Sequence, residues 1–297
     1  DPDAWEEVLD EGSFGGDYQD LIPPDAEPEA YKTDRYSLVR GTVLDDNETP
    51  MEGVTISILD APEYGSATTG DNGQFTIPVN GGLHVTVKAA LDGYASSQRK
   101  VEVFWNDIVM METIELVPLD PVKTQIYFNG DPNNVMVHSN YADGQTLVMV
   151  FTGDNIAIGT NADGEEIPTD TLIVSGTHYK DAREMPAELP PTTEFTYCAE
   201  FRAEGYEDVE FEKPVVLWLP NTYGFDVGTE VPLGFYDRTQ GKWIPRDNGV
   251  VVQLLDLDGD DTVDAVDADG DGEPDDINES GIFTDEVLGL DQIDEAV

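Results

Sequence analysis

Val54-Thr55-Ile56-Ser57-Ile58 alternates apolar with polar residues, the period of two that a half-buried β-strand requires. Val54, Ile56 and Ile58 fall on one face. Ser37 to Val43 alternates in the same way before Asp45-Asp46-Asn47 turns the chain. On the other side, Asp71-Asn72-Gly73 reads as a hairpin turn, because Asn and Gly tolerate the positive φ of tight reversals. Phe75 and Ile77 continue one face. Leu83, Val85 and Val87 form another inward set, and Val101 with Val103 a further one. Several short strands with no convincing helix between residues 37 and 118 predict a small sandwich.

These residues resemble the carboxypeptidase regulatory-like domain, a transthyretin-like β-sandwich. The likeness rests on Val39-Arg40-Gly41-Thr42-Val43, on Pro50 to Gly53-Val54, on Thr69 to Phe75 and on Gly93-Tyr94. The resemblance implies a non-catalytic module attached to larger extracellular proteins.

Residues 119–255 predict a second β-domain. Its strand candidates are 124–128, 135–138, 145–151, 171–175, 195–202, 209–216 and 250–255. Tyr236 to Trp243 reads as a hairpin, and Pro186, Pro190 and Pro191 mark a long irregular connection. Met185 to Thr192, Phe195 to Tyr197, Pro232 to Asp237 and Gly241 to Trp243 are similar to the N-terminal region of bacterial Rhs/YD-repeat (teneurin-like) surface proteins. In that family a regulatory-like sandwich, a second β-domain and an Asp-rich segment follow in this order. The YD repeats are absent from this chain, so shell assembly and encapsulation do not transfer.

The charge is unusual, with 63 acidic side chains against 14 basic ones in 297 residues. Nucleic acid is an unfavourable partner, since few cations are available to displace counterions from phosphates. An anionic membrane surface is disfavoured for the same reason, and no apolar run is long enough to predict membrane insertion. No signal peptide is recognisable. Acids crowd the two ends, leaving 1–36 as an extended acidic arm with apolar points at Trp5, Leu9, Phe14, Tyr18, Leu21 and Ile22. A short helix is expected around Ala4 to Leu9. Cys198 is the single cysteine, so an intrachain disulfide is excluded.

The other end, 256–297, carries the clearest chemistry. Asp267, Asp269, Asp271 and Asp275 stand at positions 1, 3, 5 and 9 of a loop, with the Glu273 carbonyl at position 7 and Asn278 at position 12. Calcium takes six to eight hard oxygens, and alternating Asp residues wrap a loop around one ion. Upstream, Asp256, Asp258, Asp260, Thr262 and Asp264 repeat the pattern eleven residues earlier, with Asp267 at position 12 as a ligand shared by both loops. Asp261 replaces the glycine expected at position 6. The spacing resembles dockerin-type and thrombospondin type 3 calcium loops. Extracellular modules of this class bind calcium with dissociation constants of about 10⁻⁴–10⁻³ M, which predicts an extracellular or cell-surface setting; the resemblance to bacterial surface proteins implies that the cell is a prokaryote. Thr284 is placed to cap a short helix after the loops, with Val287, Leu288 and Ile293 packing it back.

Catalytic constellations are not apparent. His84, His138 and His178 lie apart and lack metal-ligand spacing. Trp105, Trp218 and Trp243 offer aromatic surface for a glycan, though β-core tryptophans are commoner. The expectation is an all-β chain of two β-sandwich-like domains in tandem, at 37–118 and 119–255, flanked by the acidic arm and the calcium segment. Its expected role is non-enzymatic: a calcium-stabilised structural or adhesive surface protein. It self-associates or binds other surface proteins, with a filament built through the arm as one version. A plug or adhesion module of a larger Rhs/teneurin-like protein and a carbohydrate-binding module are the alternatives.

Overall fold

The computed structural model describes residues 9–142, 145–191, 193–277 and 279–290. The described chain is all-β apart from one five-residue α-helix, Phe14–Tyr18, and short 3-10 turns. It forms two compact units. Unit one is Asp1–Leu119 with Tyr179–Cys198 and Phe235–Ile244; unit two is Asp120–His178 with Ala199–Gly234 and Pro245–Val297.

Unit one contains β1 (Tyr36–Asp45), β2 (Thr55–Ile58), β3 (Ser66–Thr68), β4 (Gln74–Asn80), β5 (Leu83–Ala90), β6 (Ser97–Val103), β7 (Ile108–Met110) and β8 (Ile114–Leu116). One sheet runs β4-β1-β7 with β8 also on β1; the other runs β3-β2-β5-β6. The alternation read from the sequence sets the faces: Val54, Ile56, Ile77, Val79 and Val87 are all buried in one apolar cluster with Leu38, Val39 and Val43. His84, between Leu83 and Val85, is exposed. The turn at Asp71-Asn72-Gly73 forms, with Gly73 at φ +71°. It is not a hairpin, however. β3 pairs with β2 while β4 pairs with β1, so this turn carries the chain from one sheet to the other. Turn chemistry sets the reversal, and the burial of both apolar faces sets the partners.

Residues 9–35 of the arm dock on the sandwich of their own chain. Ser13 caps the short helix by accepting the Gly16 N–H at 2.9 Å. Leu9 and Tyr31 are buried in the unit-one core, Phe14, Tyr18 and Ile22 pack against it, and Leu21 remains exposed. The Tyr36 hydroxyl donates to the Tyr18 carbonyl at 2.9 Å, and Asp25 accepts from both the backbone and hydroxyl of Ser66. Trp5 and most of the helix expected at Ala4 to Leu9 fall outside the described residues.

The proline-rich connection also belongs to this unit. Tyr179 and Met185 are buried with Ala95 and Val117, and Trp243 packs against them. The clamp is Arg99, 6% exposed on β6. Its guanidinium donates to Arg183 O at 2.6 Å and Met185 O at 3.1 Å, as well as to Ser97 Oγ and Gln98 O.

Unit two comprises β9 (Thr124–Tyr127), β10 (Val135–Ala142), β11 (Gln145–Thr152), β12 (Ala157–Thr160), β13 (Glu166–Thr169), β14 (Thr171–Tyr179), β15 (Cys198–Ala203), β16 (Asp208–Phe211) and β17 (Val216–Trp218). Three small sheets run β10-β11-β17, β13-β12-β16 and β15-β14-β9. The strand expected over 209–216 is two strands, interrupted where Pro214 supplies no backbone N–H. Further on are β18 (Glu230–Asp237), which pairs with β19 (Lys242–Val250), and β20 (Gln253–Leu255), which pairs with β21 (Ala265–Asp267). Met149, Phe151, Leu172 and Val174 form the unit-two core with Ile126 and Ala157. Thr284 lies inside a 3-10 turn, Phe283–Asp285, and gives no side-chain cap.

Candidate metal centre

The Asp-rich segment is organised by the β20–β21 ladder, in which Gln253 faces Asp267, Leu254 faces Val266 and Leu255 faces Ala265. Residues 256–264 are thus the loop closing one end of the ladder, and Asp267 opens a second loop at the other end.

In the second loop, Asp267 Oδ1 accepts the N–H groups of Asp269 at 3.1 Å and Gly270 at 2.6 Å, while Oδ2 accepts that of Gly272 at 2.8 Å. Asp275 Oδ2 accepts from Ala268 at 2.7 Å and Asp269 at 3.2 Å. Gly270 and Gly272 sit at φ +83° and +84°, which a side chain rarely adopts, and this lets the backbone fold around the carboxylate. Asp267 is 1% exposed. Burial pushes its carboxyl up, but the backbone N–H groups of Gly270, Gly272, Asp269 and Asp271 outweigh that and hold it below the usual carboxylate range. Residues 227 and 228 run beside the loop: a Cβ added at Gly270 would meet Val227, and one added at Gly228 would meet the Ala268 carbonyl.

In the first loop, Asp256 accepts the N–H groups of Gly259, Asp260 and Asp261. Those donors lower its pKa, Asp261 first. Asp258 moves the other way, raised chiefly by the neighbouring charge of Asp260. Asp261 is left-handed at φ +68°, the conformation for which the missing glycine is suited.

Two carboxylate groups result: Asp256, Asp258 and Asp260, all exposed, and Asp267, Asp269 and Asp275. In each, one ligand atom per residue lies within 4.8 Å of the others. Oxygens on opposite sides of one calcium ion stand about 4.6–5.2 Å apart, so separations within 4.8 Å are of the scale that such an ion bridges. Asp271, Asp264 and Thr262 are not in these groups. The Asp271 carboxylate accepts the Glu273 N–H, Asp264 accepts that of Leu257, and the Thr262 hydroxyl donates to Asp260. Asp267 groups with the second set, because β21 separates it from the first loop. Asn278 lies outside the described residues. A third carboxylate clasp escaped the sequence reading: Asp276 accepts the N–H groups of Ser280 at 2.9 Å and Gly281 at 2.7 Å. Gly281, five residues past Asp276 and at φ +80°, is the signal that marks it.

A small apolar cluster ties the loops to unit two. Val266, Val287 and Leu290 are buried together, with Trp218, Val252 and Val263 packed against them. Trp218 Nε1 donates to Leu288 O at 3.2 Å. Of the other tryptophans, Trp105 is exposed beside β6, and Trp243 packs on Tyr236 while donating its N–H to Glu188 O. The histidines are dispersed, with His84 exposed on β5 and His138 and His178 buried on β10 and β14.

The two-sheet arrangement of unit one is that of a transthyretin-like β-sandwich. More particularly, residues 31–116 match the Teneurin TTR-like domain. Among curated proteins, the chain is 33% identical over 78 residues to Teneurin-3 of Danio rerio, covering 26% of this chain and 3% of that protein. It is 27% identical over 128 residues to Teneurin-1 of Homo sapiens, covering 42% of this chain and 5% of that one. The chain therefore spans a very small part of the length of these relatives. Among solved structures, a type II cohesin–X-dockerin complex from Acetivibrio cellulolyticus is 24% identical, covers 28% of this chain and 59% of that one, and has a TM-score of 0.25. That is a local likeness and carries no assignment. No described helix is long and apolar enough to cross a membrane.

Proposed function

We propose that this chain is a non-enzymatic structural or adhesive part of an extracellular surface protein, with calcium stiffening its second unit. The observation that carries the reading is the gathering of Asp267, Asp269 and Asp275 on a loop whose backbone is already folded around Asp267. Asp256, Asp258 and Asp260 form the second, more exposed position. Bound calcium supplies positive charge to carboxylates that otherwise repel, so its binding energy is partly folding energy for the segment. Extracellular modules of this class bind calcium weakly, which suits a setting where calcium is abundant. The match to the Teneurin TTR-like domain supports a sandwich that serves as a module within a larger teneurin-like surface protein.

The partners proposed are a second copy of the chain or other surface proteins. Donating residues 9–35 to a neighbour would require extracting Leu9 and Tyr31 from the core, so the arm is better suited to bracing its own sandwich. A glycan role through Trp243 has less support, because its ring and N–H are both engaged internally.

Calorimetric titration and thermal melting with calcium or EDTA test the reading. With a dissociation constant of about 10⁻⁴–10⁻³ M, about 10 mM calcium adds roughly 1.4–2.7 kcal/mol to unit two. That corresponds to a rise in Tm of about 3–10 °C, which Asp267→Ala removes. No heat of binding, together with melting indifferent to EDTA, would refute calcium stabilisation.

A further inference from the structure

His138 is a titratable side chain shut inside unit two. It lies on β10 with a side chain that is 0% exposed. Its Nδ1 is 3.0 Å from Thr124 Oγ1 on β9. Its Nε2 has no hydrogen-bond partner among the described residues. That nitrogen faces β14 at Gly176, where an added Cβ would stand 3.7 Å from Nε2 and 2.4 Å from a Leu147 methyl group. Nε2 thus shares this side of Gly176 with the Leu147 side chain, and no polar partner for a second N–H is present among the described residues. The Gly176 carbonyl is engaged by Asn140 Nδ2 at 2.7 Å.

A neutral imidazole fits this setting, with one nitrogen satisfied by the Thr124 hydroxyl. An imidazolium does not, because both nitrogens must then donate and a full charge enters the core. The surrounding elements offer little relief. β9 presents Thr124, β11 presents Leu147 and the register partner Met149, and β14 presents Gly176, with His178 two residues along. Among the described residues, Asp120, ahead of β9, is the acidic group acting on the ring.

We propose that His138 makes unit two an acid-sensitive latch, in which protonation at mildly acidic pH forces β10 away from β9 and β14 and opens this unit. Burial holds the imidazole below its ordinary pKa, with Asp120 pulling weakly the other way. The sign follows from linkage. Above the unfolded value of about 6.5 the ring is neutral in both states and the fold loses nothing. As pH falls below about 6.5 the unfolded chain takes up the proton first, and stability drops until the folded value is reached. Unit one lacks the device, since its histidine, His84, is exposed.

The test is hydrogen exchange of unit-two core amides in the full chain at fixed calcium, between pH 7.5 and pH 5, after correction for intrinsic exchange rates. In the native protein the opening constant rises by up to about 30-fold over that range, the limit for a ring that stays neutral while folded. In His138→Gln that rise disappears, and in His84→Gln it persists. Equal pH dependence in the native and His138→Gln proteins overturns the proposal. If His138→Gln does not fold, the His138 resonance of the native protein decides by NMR. A ring neutral until unit two opens supports the latch, and one titrating near 6.5 in the folded state refutes it.

Discussion

Replacing Arg99 by Met tests whether the proline-rich segment 179–198 is held to unit one by one guanidinium. The side chain is 6% exposed and makes four donor contacts, two of them to Arg183 O and Met185 O, with heavy-atom distances from 2.6 to 3.1 Å. Hydrogen bonds from a charged donor each contribute about 1.5–3 kcal/mol. Two opposing effects reduce the sum. Burial disfavours the charged guanidinium and lowers its pKa, outweighing the nearby Glu188, Tyr236, Glu112 and Glu115, which raise it. Met also preserves most of the aliphatic packing. The balance is a loss of about 3 kcal/mol, because the two carbonyls of the segment are left without this donor. In a unit of this size the Tm falls by about 6–12 °C. Hydrogen exchange by mass spectrometry should show new exposure concentrated in residues 180–191, with the β1–β4 ladder protected. Arg99→Lys should behave nearly as badly, since a single ammonium cannot span both carbonyls as the planar fork does. A Met variant within about 1 kcal/mol of the native protein, with unchanged exchange in the segment, would mean that the apolar contacts of Tyr179 and Met185 hold it and the clamp is incidental.

Gly73→Ala should destabilise unit one by about 2–3 kcal/mol, since the residue sits at φ +71° and an added Cβ would lie 2.5 Å from the Val43 carbonyl oxygen; chemical denaturation measures it. Docking of the arm should weaken in acid. Hydrogen bonds from the Ser66 hydroxyl, then its backbone, hold the Asp25 carboxyl below its ordinary value. That contribution is complete above about pH 4 and is lost as pH falls through the folded value, so exchange protection of residues 26–31 should drop there and Asp25→Asn should flatten the response.

The alternation at residues 37–43 and 54–58 was enough to identify the sandwich, because a period of two commits every second side chain to the interior whatever its partner strand is. The carboxylate spacing of the second loop was equally legible, since Asp267, Gly270 and Gly272 act within six residues of one another. Local chemistry of this kind needs no distant neighbour. The role of Asp71-Asn72-Gly73 was not legible, because a turn reverses the chain identically whether its flanking strands pair with each other or with different sheets. The grouping of Asp267 with Asp269 and Asp275 depended on the tertiary structure, in which the register of β20 with β21 places Gln253 opposite Asp267. His138 reads as an ordinary strand histidine until β9 and β14 enclose it. Sequence alone determined the all-β class, the inward faces and the oxygen-rich loop, since these follow from periodicity and backbone conformation. Tertiary structure decided which strands pair, what Arg99 clamps and which ring is shut away from water, since burial is a property of the neighbours that surround a residue.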